Sequence, residues 1–281
     1  MQTIGNGKSS AAIRNEGLIV RVAKATLSFS VADATAENLV TYRSYDVKAG
    51  MSVAANLREA FRQAATDDAM PRLKGVASSG LVITDAPVLL MPAEAFTATA
   101  AQASYRHAFA EGASRVVMHT GLPSLGAVAV FAVSHDLNVV ARDNIADVTF
   151  MPVMAPVWNN LYHSSFSGQR QKLYAYFHDG KADIFAFLRG RFRFSNAFDV
   201  NNSRDSAYFL LYVWRQLGFD QRRDELHIVG DVPQMQETLD MLRRYVGNTY
   251  VINPSADFNR SPVTRIQGMP YDLMTLYVKG L

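Results

Sequence analysis

The side chains in this chain that could do chemistry are six histidines, several arginine clusters and no cysteine. His107, His119, His135, His163, His178 and His227 are scattered. No two stand at a metal-ligand spacing such as i, i+4, so each reads as a solvent-facing or core-edge histidine and no metal site is expected. Without cysteine there are no disulfides, thiolate ligands or cysteine nucleophiles. Arg189, Arg191 and Arg193 alternate around a tight turn. Such a row suits an anion contact, or equally a charged strand edge that deters edge-to-edge pairing. Arg222-Arg223 and Arg243-Arg244 are adjacent pairs. Helix neighbours point in different directions, so the second pair reads as a solvated face. Asp67-Asp68 and Asp224-Glu225 read as solvated loop ends. There is no Gly-x-x-x-x-Gly-Lys loop and no Gly-x-Ser-x-Gly elbow, so no catalytic residue is assigned.

The elements that would position these residues are clearest in the second half. Leu173–Phe177 and Ala182–Leu188 flank His178-Asp179-Gly180-Lys181, and Asp-Gly between two apolar runs is a hairpin signal. Arg189-Gly190 makes a second turn into the alternating run Arg191–Val200. The aromatics of this meander, Tyr174, Tyr176, Phe185, Phe187, Phe192 and Phe194, suit packing between sheets or a stacking platform for single-stranded nucleic acid. A helix near Ser203–Leu217 carries Ala207, Leu210, Leu211, Trp214 and Leu217 as one stripe. The strand Leu226–Gly230, a helix opened by Pro233 and a strand at Thr249–Asn253 follow.

In the first half, Met1–Glu16 reads as a loose tail and the strand pattern begins at Lys24. Leu27, Phe29 and Val31 alternate with small polar residues. Asp33–Glu37 is a polar turn, and Val40–Val47 a partner strand. Ser52 caps a helix to about Ala65. Pro92 opens another helix to about Ala110. Val116–His119, Ala127–Val133 and Leu137–Ala141 read as a strand and a hairpin. Each half thus starts with strands and continues helix, strand, helix.

A strand meander followed by α, β, α, β, occurring twice, resembles the actin, sugar-kinase and heat-shock ATPase superfamily. More specifically, the chain resembles an uncharacterised bacterial family of unknown function with an actin-like ATPase fold. The residues that carry the likeness are Leu27-Ser28-Phe29-Ser30-Val31 with its polar turn, Leu90-Met91-Pro92-Ala93-Glu94-Ala95-Phe96, the Asp179-Gly180 hairpin, and Ile228-Val229-Gly230 before a helix. The resemblance implies an α/β fold of two ribonuclease-H-like subdomains with a cleft between them. It also implies a nucleotide site at the first hairpin turn of each half and at an adenosine loop. Matched residue by residue, those positions are Asp33 and Thr35, then Asp179, Gly180 and Lys181, then Gly230. The first turn has no glycine, and Gly230 is followed by Asp231 where the superfamily usually has a second glycine, so the site reads as vestigial.

The expected organisation is therefore a flexible tail over 1–17, a first subdomain over 18–163 and a second over 164–281. The net charge of +3 is shared by both halves, which makes neither a basic module. No apolar segment has the length of a membrane span, so a cytoplasmic protein is expected. The functional expectation is a non-catalytic or weakly nucleotide-responsive scaffold that binds an unidentified protein partner. No cofactor is expected. The alternative is a kinase or ATPase with divergent phosphate loops, using ATP with Mg²⁺. Nucleic-acid binding is the least favoured reading.

Overall fold

The computed structural model describes residues 17–68, 70, 73, 75–110, 114–167 and 170–280; all but the last residue of the expected 1–17 tail lies outside them. The first half contains β1 (Leu18–Val22), β2 (Thr26–Ala32), β3 (Val40–Asp46), α1 (Val53–Thr66), β4 (Ala77–Thr84), β5 (Leu89–Pro92), α2 (Ala98–Ala108), β6 (Arg115–Leu122), β7 (Ala127–Ser134), α3 (His135–Asn144) and β8 (Ile145–Pro152). Helix α4 (Met154–Ser165) leads into β9 (Lys172–His178), β10 (Lys181–Leu188), β11 (Arg191–Asp199), α5 (Ser203–Gln216), β12 (Glu225–Gly230), α6 (Met235–Arg243), β13 (Thr249–Val251), α7 (Pro254–Asp257) and α8 (Tyr271–Val278).

Two five-stranded sheets correspond position for position, β3-β2-β1-β4-β8 and β11-β10-β9-β12-β13. In each, an antiparallel meander is extended by two parallel strands. The first half also carries a small sheet, β5-β7-β6, covered by α2. Apart from this insert, the chain is built twice on one plan.

Alternation along the strands sorts side chains into layers. In β1, Leu18, Val20 and Val22 pack outward with α1 and α3, whereas Ile19 faces the other way. In β9, Leu173, Ala175 and Phe177 pack outward under α5 and α6, whereas Tyr174 and Tyr176 face inward. The inward faces share one apolar layer with α4 and α8, so the two sheets enclose these helices. The expected boundary at 163/164 falls inside the last turn of α4.

Several helices start as their sequences dictate. Ser52, Thr97, Ser134 and Asn202 each accept a hydrogen bond from a backbone N–H of the first turn. Three expectations are corrected. Strand β1 precedes the expected start at Lys24, because Arg21 interrupts its apolar run. Pro92 ends β5 and opens only a single 3-10 turn, Ala93–Ala95; the α-helix begins after the Thr97 cap. Leu137–Ala141 belongs to α3, since Leu137, Val140 and Ala141 bury one helical face.

Gly230 shows why its residue type is required. Its φ is +96°, and a Cβ there would lie 2.0 Å from the Phe177 carbonyl oxygen. The same carbonyl accepts the Asp231 N–H at 2.9 Å. Gly230→Ala is expected to cost about 3 kcal/mol or more through strain and displacement of the β9 end, read as a fall in the chemical-denaturation midpoint.

Candidate functional site

The inward faces of the two sheets bring polar side chains together at one end of the apolar layer. Arg21 follows Ile19 on the inward face of β1. His178 follows Tyr176 on β9, and Lys181 and Asp183 precede Phe185 on β10. Asp272 comes from the first turn of α8 and Asp85 from the residue after β4. The β9–β10 turn itself is held by Asp179 and Gly180 at φ +51° and +76°, the left-handed pair that the Asp-Gly sequence favours.

Arg21 is the hub. Its Nε lies 3.0 Å from both carboxylate oxygens of Asp272. Its Nη2 donates to Asp179 Oδ2 at 2.7 Å and its Nη1 to Oδ1 at 3.4 Å. One planar fork thus holds two carboxylates, from β9–β10 and from α8. The Tyr176 hydroxyl donates to Asp272 Oδ2 at 2.7 Å. His178 stacks on Tyr176, with Nδ1 2.8 Å from Asp179 Oδ2 and Nε2 2.8 Å from Asp183 Oδ2. Lys181 bonds Asp85 and lies 3.6 Å from Asp183.

The charges follow from these contacts. Burial alone would lower the His178 pKa. The hydrogen bonds to Asp179 and Asp183 outweigh it and raise the pKa to about 9, so both ring nitrogens donate and the imidazole is cationic at neutral pH. Burial would raise the Asp179 pKa, but His178 and Arg21 hold it well below the usual carboxylate range. Burial opposes the charge on Lys181, and Asp183 with Asp85 raise its pKa. Burial and the Asp272 charge push the Tyr176 hydroxyl far up, so it stays a donor. Three cations therefore face four carboxyl groups, and each cation has at least one of them as a partner.

The expected site residues divide. Asp179, Gly180 and Lys181 lie in this cluster. Gly230 ends the neighbouring strand, in register with Phe177. Asp33 and Thr35 lie elsewhere. Val22 pairs with Leu27 and Leu18 with Val31, so the β2–β3 turn is at the far end of β2, about 20 Å along a strand of this length. There Asp33 accepts from the Thr35 N–H and hydroxyl and from Thr41, which is local turn chemistry. The turn at the cluster's end of the first sheet is Ala23-Lys24-Ala25. The expected loop falls at the other end of β2 because the strand pattern does not mark β1, Leu18–Val22.

Two further expectations change. His178 is neither solvent-facing nor at a core edge, being 3% exposed. No metal site was expected, yet Asp85, His178 and Asp179 each place one potential ligand atom within 4.8 Å of the others. The same side chains are already engaged by Lys181, Asp183 and Arg21. In the arginine row, Arg193 bonds Gln171 at 2.7 Å and the Leu217 carbonyl, and packs over Phe219, so it is a structural residue.

Sequence reasoning missed Arg21, Asp85, Tyr176, Asp183 and Asp272 as a group. A signal existed for two of them. Arg21 interrupts Leu-Ile-Val-Arg-Val, and Asp272 is the sole charge in the otherwise apolar helix α8. A charge inside a buried element needs a partner.

Comparisons with known proteins agree on the architecture. A family model described as "Protein of unknown function (DUF3822)" matches residues 7–249. A crystal structure from Bacteroides thetaiotaomicron, of a protein with actin-like ATPase fold and unknown function, is 22% identical. It covers 93% of this chain and 100% of its own, with a TM-score of 0.75. The PilM–PilN type IV pilus biogenesis complex contains a chain that is 11% identical, covering 94% and 98% with a TM-score of 0.56. No curated protein matches. The chain has an actin-like ATPase fold, and no helix among the described residues is long and apolar enough to cross a membrane.

Arg21→Met would leave Asp272, which is fully buried, without its counter-charge. The expected loss is about 3–5 kcal/mol in denaturant unfolding, with Arg21→Lys recovering only part because an ammonium cannot fork to two carboxylates. The folded His178 pKa of about 9 lies above the ordinary 6.5. Its protonation therefore stabilises the fold fully below about pH 6.5, and that contribution fades as pH rises through 9, on the order of 3 kcal/mol in all. Thermal midpoints measured from pH 6 to 10 are expected to fall across this window in the wild type, and to fall less in His178→Gln.

Proposed function

The chain belongs to the DUF3822 family of unknown function, and we propose that it is an actin-like scaffold that acts by binding a partner protein without binding or turning over a nucleotide. The observation that carries this reading is the Arg21–Asp179–Asp272 cluster. It occupies the ends of β1 and β9, the place where the resemblance puts the phosphates and metal of an ATPase.

Three features of that place are poorly suited to a Mg-nucleotide. The cluster pairs its cations internally with its own carboxyl groups, so none is left free to meet a triphosphate. The β1–β2 turn, Ala23-Lys24-Ala25, has neither the glycine nor the carboxylate expected of a phosphate loop. At the β12 end, the Gly230 backbone packs against the Phe177 carbonyl, and Asp231 adds another carboxylate where a nucleotide would approach. Clearing this site would mean separating buried ion pairs, each costly to break.

Partner binding needs none of this chemistry. A protein of the same fold occurs in the PilM–PilN type IV pilus biogenesis complex, a precedent for such a fold within a protein assembly. A ligand that binds only the native state raises apparent stability by mass action, by about 2.7 kcal/mol at one hundred times its dissociation constant. On the proposed reading, millimolar ATP or ADP with Mg²⁺ leaves the thermal midpoint unchanged, and purified protein releases no phosphate. Phosphate release that Asp179→Ala abolishes, or a saturable nucleotide-dependent rise in midpoint, would overturn it.

A further inference from the structure

On the outer side of the second half, a groove of about 750 Å³ opens beside α5, away from the buried cluster. It is lined by Tyr208, Leu211, Tyr212, Trp214, Phe219 and Tyr245, among others. Tyr208 is 62% exposed, Tyr245 55% and Tyr212 42%. Such large aromatic side chains are a cost on a surface that nothing covers, and are typical of recognition sites. Tyr208 and Tyr212 stack in parallel one helical turn apart. The floor is rigid, since Phe219 packs against Trp214 on one side and the Arg193 guanidinium on another. The Trp214 indole N–H is buried and has no hydrogen-bond partner among the described residues.

Arginines gather at this groove. Arg215 lines it. The two segments that supply Gln221 and Tyr245 are tied by the Gly247 N–H to Gln221 carbonyl bond at 3.0 Å. They also carry the exposed pairs Arg222-Arg223 and Arg243-Arg244. Among the described residues, Arg215, Arg222, Arg243 and Arg244 have no carboxylate partner within ion-pair distance; Arg223 lies 3.9 Å from the buried Asp224. The acidic residue lining the groove, Asp220, spends one carboxylate oxygen on the Arg222 and Arg223 N–H groups and is held below its ordinary pKa by those bonds.

We propose that this groove docks an acidic peptide segment of the partner protein, with an aromatic or other apolar side chain entering between Tyr208, Tyr212 and Tyr245 and its carboxylates meeting the arginines. This names the partner chemistry for the scaffold role above and rests on that reading. The volume suits a few side chains. Guanidinium forks pair with carboxylates in two parallel bonds. A nucleic acid is less well served, because the cations cluster at one pocket and do not track a backbone over many phosphates, and the whole chain carries only +3.

The test uses the full chain and a fluorescein-labelled copolymer of glutamate and tyrosine, with a lysine–tyrosine copolymer and single-stranded oligothymidylate as comparisons. Anisotropy titrations are expected to show salt-sensitive binding of the acidic copolymer alone. Affinity should fall by about tenfold or more in Tyr208→Ala/Tyr245→Ala and in Arg215→Glu/Arg244→Glu. Both double variants alter exposed residues and should keep the wild-type thermal midpoint. In Trp158→Phe, Trp214 becomes the sole indole, and its emission should change on binding. Equal binding by all variants, or no preference for the acidic copolymer over the lysine copolymer, overturns the assignment. Tighter oligothymidylate binding that the same variants abolish gives the groove to nucleic acid and also overturns it. If nucleotide turnover is found while the acidic copolymer still binds here, the nucleotide-free scaffold reading fails and the groove assignment stands. If neither nucleotide nor copolymer binds, the groove assignment alone fails.

Discussion

The architecture hangs on one guanidinium. Arg21 lies on the inward face of the first sheet, 3% exposed, and binds a carboxylate from the second sheet's hairpin and another from the C-terminal helix between the sheets. These three residues are 158 and 251 positions apart along the chain. A buried charge of this kind is not a cheap source of stability, because removing ions from water costs about as much as their pairing returns. Its larger consequence is specificity. A misplaced α8, or a different angle between the sheets, would strand a charge in an apolar layer. The ion pairs therefore select one arrangement of the two halves from those that the apolar packing alone would tolerate.

The same interaction bears on chemistry. In a fold whose ATPase members are expected to place phosphates and metal between two hairpin turns, this chain places carboxylates and cations that satisfy each other. The scaffold needs β1 and β9 to come together and needs their polar ends to be matched. It does not need the match to be a ligand. Fold and activity are thus separable in physical terms. Packing positions carry the duplicated sheets, while a handful of side chains at the strand ends decide whether the space between them is a binding site or a closed joint.

The sequence disclosed the second half well and the first half poorly, and the difference has a local cause. The β9–β10–β11 meander announces itself through two tight turns with positive φ, at Asp179-Gly180 and Arg189-Gly190, between alternating apolar runs. The β1–β2 turn has no glycine, and its first strand contains Arg21, so neither periodicity nor turn chemistry marked it. That one missed strand moved the expected phosphate loop to Asp33 and Thr35, a whole strand length away. Helix α3 was lost to a similar ambiguity, since Leu137–Ala141 is too short a run to separate period 2 from period 3.6. The cluster itself was out of reach. Asp85, Asp183 and Asp272 become partners of Lys181, His178 and Arg21 only when sheet order and the placement of α8 are known.

Folding accounts for most of the apolar surface of the two sheets. The inward faces of both sheets are spent on α4 and α8, and their polar ends on one another. The outward faces of the sheets are covered by α1 and α3 in the first half and by α5 and α6 in the second. On α5 the covering stops short. Ala207, Leu210 and Trp214 complete the core, while Tyr208 and Tyr212 continue around the helix into solvent. A helix that needed only to be soluble would carry charge on that face. Two tyrosines there, with a third just past α6 and several exposed arginines nearby, are hard to account for by folding alone. They place the proposed recognition surface on the second half's exterior, where a partner could bind without disturbing the ion pairs that hold the sheets.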